Sequence, residues 1–173
     1  MPEHSSKLDG FDSKSIQFIK KTFCSPWRFR LLLMKILPMG FLSKMKVTHL
    51  DETSCSVSVP YSWRNKNPFQ STFWAVLGMA AEMSSGALLT LYTFKQKPEV
   101  AMIIVGCRAK FVKKAKDITT FICPDGVKIR SAIEATRVSG EAVQVECNMN
   151  GTNRAGETVA QFSFTWSVKM RQS

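Results

Sequence analysis

The chain reads as α+β, with a curved antiparallel sheet of about six strands wrapped around one long central helix and with helices at the N-terminal end. Three features predict this. The segment 72–93 has helical length and is apolar nearly all round, and between residues 67 and 94 the only charged residue is Glu82. Runs of period two flank it, giving the order strand, strand, long helix, four strands. A helix apolar on all sides must be enclosed rather than laid on a surface, and a twisted sheet curled about it supplies the enclosure.

Residues 1–12 are polar without apolar periodicity and read as a flexible tail, so no function is attached to His4. A helix over 13–23 carries Ile16, Phe18 and Ile19; Pro26 breaks it, and a second helix runs from 27 to about 37, completing a helical preface over 13–41. From residue 44 the period becomes two. Met45, Val47 and His49 oppose Lys46 and Thr48, residues 51–53 turn the chain, and Cys55, Val57, Val59 and Tyr61 oppose Ser54, Ser56 and Ser58. This is a hairpin with one buried face. The long helix starts near Ser71 or Thr72 and ends before a turn at 95–98. Strands over 100–112 and 117–123 follow, then a turn at 124–126 and a short helix to Val138 closed by Gly140. In the last two strands Val143, Val145, Cys147 and Met149, then Ala160, Phe162, Phe164, Trp166 and Val168, alternate with polar residues across a connection at 151–156. With no repeat, low-complexity run or linker, 13–173 reads as a single domain.

A length of 173 residues with 45% hydrophobic content supports one substantial core. The net charge of +11 favours a polyanionic partner: nucleic acid, an anionic membrane surface or a phosphorylated cofactor such as coenzyme A. No nucleic-acid-binding motif accompanies the charge, so nucleic acid is not expected. The five cysteines are widely spaced without a CxxC pair, and no secretory leader opens the chain; the expectation is a reduced, cytoplasmic protein with Cys55, Cys107 and Cys147 acting as small hydrophobes. Two histidines make a transition-metal site unexpected. The segment 72–93 has the length of a bilayer span, but its central glutamate, serines and threonines predict a buried helix rather than a transmembrane one. Residues 27–41 mix basic and apolar side chains and are interrupted by Pro38. They pack on their own domain or lie on a membrane surface; liposome binding lost on removal of residues 1–40 would mark the second.

At helical spacing Ser71, Ala75, Gly78, Glu82, Ser85 or Gly86, and Leu89 share one face. Two interior glycines cost a helix about 1 kcal/mol each relative to alanine, which either a ligand's approach or a neighbouring strand would explain. Apolar surroundings destabilise a charged carboxylate and raise its pKa toward that of a general base, or else Glu82 is paired with a cation as pure structure. The helix start offers Asn67 and Gln70 amides, Ser71 and Thr72 as caps, and unpaired first-turn N–H groups suited to an oxyanion. The first turn at Phe73 and Trp74 lies about 12 Å along the axis from Glu82, so one helix cannot bring both to one atom. A homodimer, which would also cover edge strands, could unite them across an interface.

The element order and the run Tyr61-Ser62-Trp63-Arg64-Asn65-Lys66-Asn67-Pro68-Phe69-Gln70-Ser71, followed by Ala80-Ala81-Glu82 and Gly86, resemble the hotdog superfamily over about residues 42–170. Within it the chain looks like the thioesterase-like domain-of-unknown-function branch. Thioesterases of the phenylacetate-degradation type place an Asn or Gln fifteen residues before a helix Asp or Glu, with a histidine-glycine pair between. Asn67 and Glu82 reproduce that spacing, while Phe73 and Trp74 stand in place of the pair. The resemblance implies hydrolysis of acyl-CoA thioesters at a homodimer interface, with pairing of dimers left open and coenzyme A entering only as part of the substrate, no cofactor being bound. It assigns Glu82 as the catalytic acid, Asn67 as orienting water or thioester, and the Trp74 N–H as polarising the carbonyl. Gln70, Ser71, Phe73, Gly78, Ser85 and Gly86 would line the substrate. Arg108, Lys110 and Lys113, with Lys114 and Lys116, would neutralise coenzyme A phosphates or form a solvated strand end. The alternative function is a non-catalytic acyl or acyl-CoA binding module.

Overall fold

The computed structural model describes residues 10–171. Helix α1 (Ser13–Phe23) is capped by Asp12, whose carboxylate accepts the Lys14 and Ser15 N–H groups at 3.1 Å each. Phe11 is buried with its ring 5.0 Å edge-on from Tyr92. Residues 11 and 12 therefore belong to the domain rather than to the expected tail; His4 lies outside the described residues. Helix α2 (Pro26–Ile36) starts on proline, and Pro38 begins a short helix α3 (Pro38–Leu42) instead of merely stopping α2. Proline suits a first helical turn, where its missing N–H has no partner to lose.

The rest of the chain follows the predicted order: β1 (Lys46–Leu50), β2 (Cys55–Val59), α4 (Trp74–Thr93), β3 (Val100–Phe111), β4 (Thr119–Cys123), α5 (Gly126–Ser139), β5 (Val143–Thr152) and β6 (Thr158–Met170). The six strands form one antiparallel sheet in the order β1-β2-β4-β5-β6-β3. Helix α5 ends at Gly140, whose φ of 74° is the left-handed cap its sequence position predicts. Its start is tight: a Cβ on Gly126 would stand 2.3 Å from the Glu52 carbonyl oxygen.

Helix α4 is long and apolar enough to cross a bilayer by length and composition, yet it is the core helix, with Leu88, Leu89, Leu91 and Tyr92 fully buried. The sheet's inward residues, among them Val57, Phe121, Cys147 and Phe162, close around it. The predicted enclosure fails along one line. Ala75, Met79, Glu82, Met83, Gly86 and Thr90, recurring at three- and four-residue steps, remain partly exposed. The helix packs mainly on β2, β4 and β5, while β3 sits at the sheet's edge and only brushes it. That edge strand exposes Met102, Ile103, Val105 and Phe111.

Candidate active site

Residues 60–73 carry the chain from β2 to α4 and are tied down by two asparagines. Asn65 accepts the Ser62 N–H at 2.8 Å, donates to the Pro60 carbonyl at 2.8 Å, and receives the Phe73 N–H on its own carbonyl at 2.7 Å. The Asn67 side-chain oxygen accepts the N–H groups of Phe69 and Ser71 at 3.0 and 3.1 Å and the Ser71 hydroxyl at 3.3 Å. This is an Asx-type turn. Asn67 thus positions the loop through its oxygen and leaves its NH2 as the remaining donor. Nothing in the local sequence pattern marks Asn65 for this role.

The expectation that Ser71 and Thr72 cap the helix is corrected. The cap position is Phe73 and no side chain fills it. Thr72 instead turns its N–H and hydroxyl to the Ala115 carbonyl, at 2.8 and 3.3 Å, stitching the loop to the segment after β3. The Trp74 and Ala75 N–H groups find no acceptor among the described residues, so two donors at the positive end of α4 remain free.

Those donors lie beside a groove of about 370 Å³ whose walls include Asn67, Ser71, Trp74, Phe111, Lys113 and Lys114. Of the predicted residues the groove gathers Asn67, Ser71, Thr72, Trp74, Lys113 and Lys114. Phe73, stacked edgewise on Trp74 at 5.9 Å, and Gln70 do not line it. Gln70 is exposed and occupies the left-handed region at φ 57°, making the loop's corner.

Glu82 does not line the groove, as helical rise requires. It is half-buried, and burial pushes its carboxyl pKa up. Its carboxylate makes no ion pair or hydrogen bond among the described residues, which removes the reading of a structural ion pair. It lies near Cys107 of β3, which is exposed on that edge strand rather than buried as a small hydrophobe as expected, and whose thiol pKa is raised by partial desolvation first and by the Glu82 charge second.

The small residues around Glu82 have an identifiable task. A Cβ on Gly78 would stand 3.3 Å from the Phe162 ring, and one on Gly86 3.9 Å from the Trp166 ring. Ser85 is fully buried, donates to the Glu82 carbonyl at 3.0 Å and accepts the Trp166 indole N–H at 3.0 Å. Gly78 and Ser85 therefore seat the β6 aromatics rather than line an open surface. Gly86, partly exposed on the Glu82 stripe, is the one still open to solvent.

The basic run, contiguous in sequence, divides in space. Lys113 and Lys114 border the groove, while Arg108 and Lys110 lie over a separate hollow on the sheet with Asn148, Asn150, Gln161 and Ser163. Strand alternation and the end of β3 at Phe111 turn the two pairs apart. Arg108 pairs with Glu146 at 2.7 Å and Lys113 with Glu157 at 2.6 Å, both exposed. The fold also assembles a buried group that spacing does not reveal: donor atoms of Cys123, Asp125 and Cys147 lie within 4.8 Å of one another. Both Asp125 oxygens are already engaged, by the Asn148 N–H at 2.8 Å and the Lys128 ammonium at 2.6 Å. A metal there would have to displace that ammonium.

A six-stranded antiparallel sheet closed around one long helix is the hotdog fold, and solved structures share it. A protein of unknown function and probable thioesterase from Pseudomonas aeruginosa superimposes with a TM-score of 0.72 at 19% identity, covering 82% of this chain and 93% of its own. A protein of unknown function from Chlorobaculum tepidum gives 0.70 at 15%, covering 84% and 94%. A thioesterase from Haemophilus influenzae gives 0.60 at 13%, covering 87% and 94%. Residues 26–168 match the family described as a domain of unknown function, DUF4442, and the chain belongs to that family. Among curated proteins none matches it.

Proposed function

We propose that this protein hydrolyses acyl-CoA thioesters in the cytoplasm, at sites formed between two copies of the chain. The observation that carries the reading is Glu82, a half-buried carboxylate with no partner among the described residues and a raised pKa, placed on the one open stripe of the core helix. Free N–H donors stand at the helix start beside a groove edged with lysines. The exposed apolar edge of β3 and the open α4 stripe are the surfaces a second copy would cover, bringing one protomer's Glu82 toward its partner's groove. The names of the structural relatives and five free cysteines support the activity and the compartment.

In this reaction Glu82 takes a proton from water as the hydroxide attacks the thioester carbonyl. The Trp74 N–H stabilises the resulting oxyanion, the Asn67 NH2 orients the water or thioester, and lysines at the groove meet coenzyme A phosphates. Collapse breaks the C–S bond, and the proton held by Glu82 passes to the departing thiolate, leaving a carboxylic acid and free coenzyme A. On a panel of CoA thioesters Glu82→Gln should fold and lose at least about 100-fold in turnover; wild type inert on the whole panel would sink the proposal. A binding module is the second reading, favoured by Phe73 and Trp74 standing where related thioesterases carry histidine and glycine. It predicts a melting temperature raised by acyl-CoA without hydrolysis.

A further inference from the structure

Helix α2 is amphipathic in the reverse of the usual sense. Its core face is narrow: Phe29 and Leu33, one turn apart, are buried, Phe29 against Phe23 with ring centroids 5.3 Å apart. On the far side Trp27, Leu31 and Met34, spaced four and three residues, form a second apolar stripe that is more than half exposed at every position. Arg28 and Lys35 flank it on one side and Arg30 on the other. Arg28 lies 5.3 Å from the Trp27 ring centroid and Arg30 4.2 Å from that of Phe41. None of the three cations has an ion-pair partner among the described residues. Helix stability does not ask for Arg28 and Arg30, which sit toward the positive end of the helix dipole, whereas Lys35 in the last turn suits it.

From this geometry we infer that α2 docks the protein on an anionic phospholipid surface. Trp27, Leu31 and Met34 enter the boundary between headgroups and acyl chains, and the flanking cations meet phosphates. Charge selects this occupant. Between Asp12 and Asp51 the chain contains no Asp or Glu, so a second copy seated on this stripe would oppose cations to cations with no local acid to relieve them. An anionic bilayer supplies both the apolar depth and the negative charge. Met39, Leu42 and Trp63, also apolar and exposed, border a hollow of their own.

The inference is independent of the thioesterase reading and is tested without any enzyme assay. Full-length protein is sedimented with vesicles of phosphatidylcholine mixed with phosphatidylglycerol, and with phosphatidylcholine alone. Wild type should partition onto the mixed vesicles, less onto the neutral ones, and release as salt rises. The exposed triple variant Trp27→Gln, Leu31→Gln, Met34→Gln should fall by about tenfold or more, and Arg28→Gln, Arg30→Gln, Lys35→Gln should lose the preference for phosphatidylglycerol. Circular dichroism identical to wild type shows that neither loss comes from unfolding. Wild type left in the supernatant, or variants that sediment as wild type does, would overturn the inference. So would an apolar variant whose mass in solution drops to half that of wild type, since a second copy would then own the face.

Discussion

The hydrogen bond between Ser85 and Trp166 makes the most direct test of how the core is held around Glu82. The indole N–H reaches the Ser85 hydroxyl at 3.0 Å in a buried setting, and Trp166 is 6% exposed. Ser85→Ala deletes the acceptor and strands the donor, a loss of about 1–3 kcal/mol. Alanine's better helix propensity returns about 0.5 kcal/mol, leaving a net cost of about 0.5–2.5 kcal/mol. For a domain of this size that corresponds to a melting temperature lower by about 1–10 °C. The assay is thermal unfolding at matched protein concentration in a double-mutant cycle with Trp166→Phe. In the phenylalanine background no donor remains to be stranded, so Ser85→Ala should there be nearly harmless, and the coupling should be about 1 kcal/mol or more. A coupling near zero, with Ser85→Ala equally costly in both backgrounds, would refute the reasoning.

The pH dependence of Glu82 has a definite sign. Its folded pKa lies above the unfolded value of about 4.3, so the native state loses stability as pH rises from about 4 through the folded pKa. Glu82→Gln should therefore melt higher than wild type at neutral pH, with the advantage vanishing in acid; an advantage equal at both pH values would refute burial as its cause. Gly126→Ala would drive a Cβ to 2.3 Å from the Glu52 carbonyl oxygen and 2.7 Å from that of Thr53. Both are backbone atoms that cannot step aside, so a cost near the upper end of about 1–3 kcal/mol is expected in denaturant titration, and a midpoint unchanged from wild type would contradict the packing described.

Much of the fold is legible because hydrophobic period and punctuation are local. Helix α1 matches its predicted span of 13–23, Gly140 closes α5, and β5 and β6 alternate in the predicted phase. The misreadings arise where a partner distant in sequence intervenes. Ser71 and Thr72 have the chemistry of caps, but Thr72 is claimed by Ala115 and Ser71 by Asn67. Lys113 and Arg108 look like one cluster until the end of β3 separates them.

Glu82 shows the division most clearly. That an acid sits in an apolar core helix is readable from the residues alone, because the cost of burying charge makes any such residue conspicuous in a one-dimensional pattern. So is the fact that the helix start lies too far along the axis to share a site within one chain, because helical rise is constant. That Glu82 is half-buried and without a side-chain partner among the described residues, and that Gly78 and Ser85 answer to Phe162 and Trp166 instead of a ligand, came from the packing of distant elements. The same packing turns a second apolar stripe of α2 outward. Which face of a helix meets the core depends on where the sheet ends, and β3 takes its place at the edge through pairing with β6, residues far away in the chain.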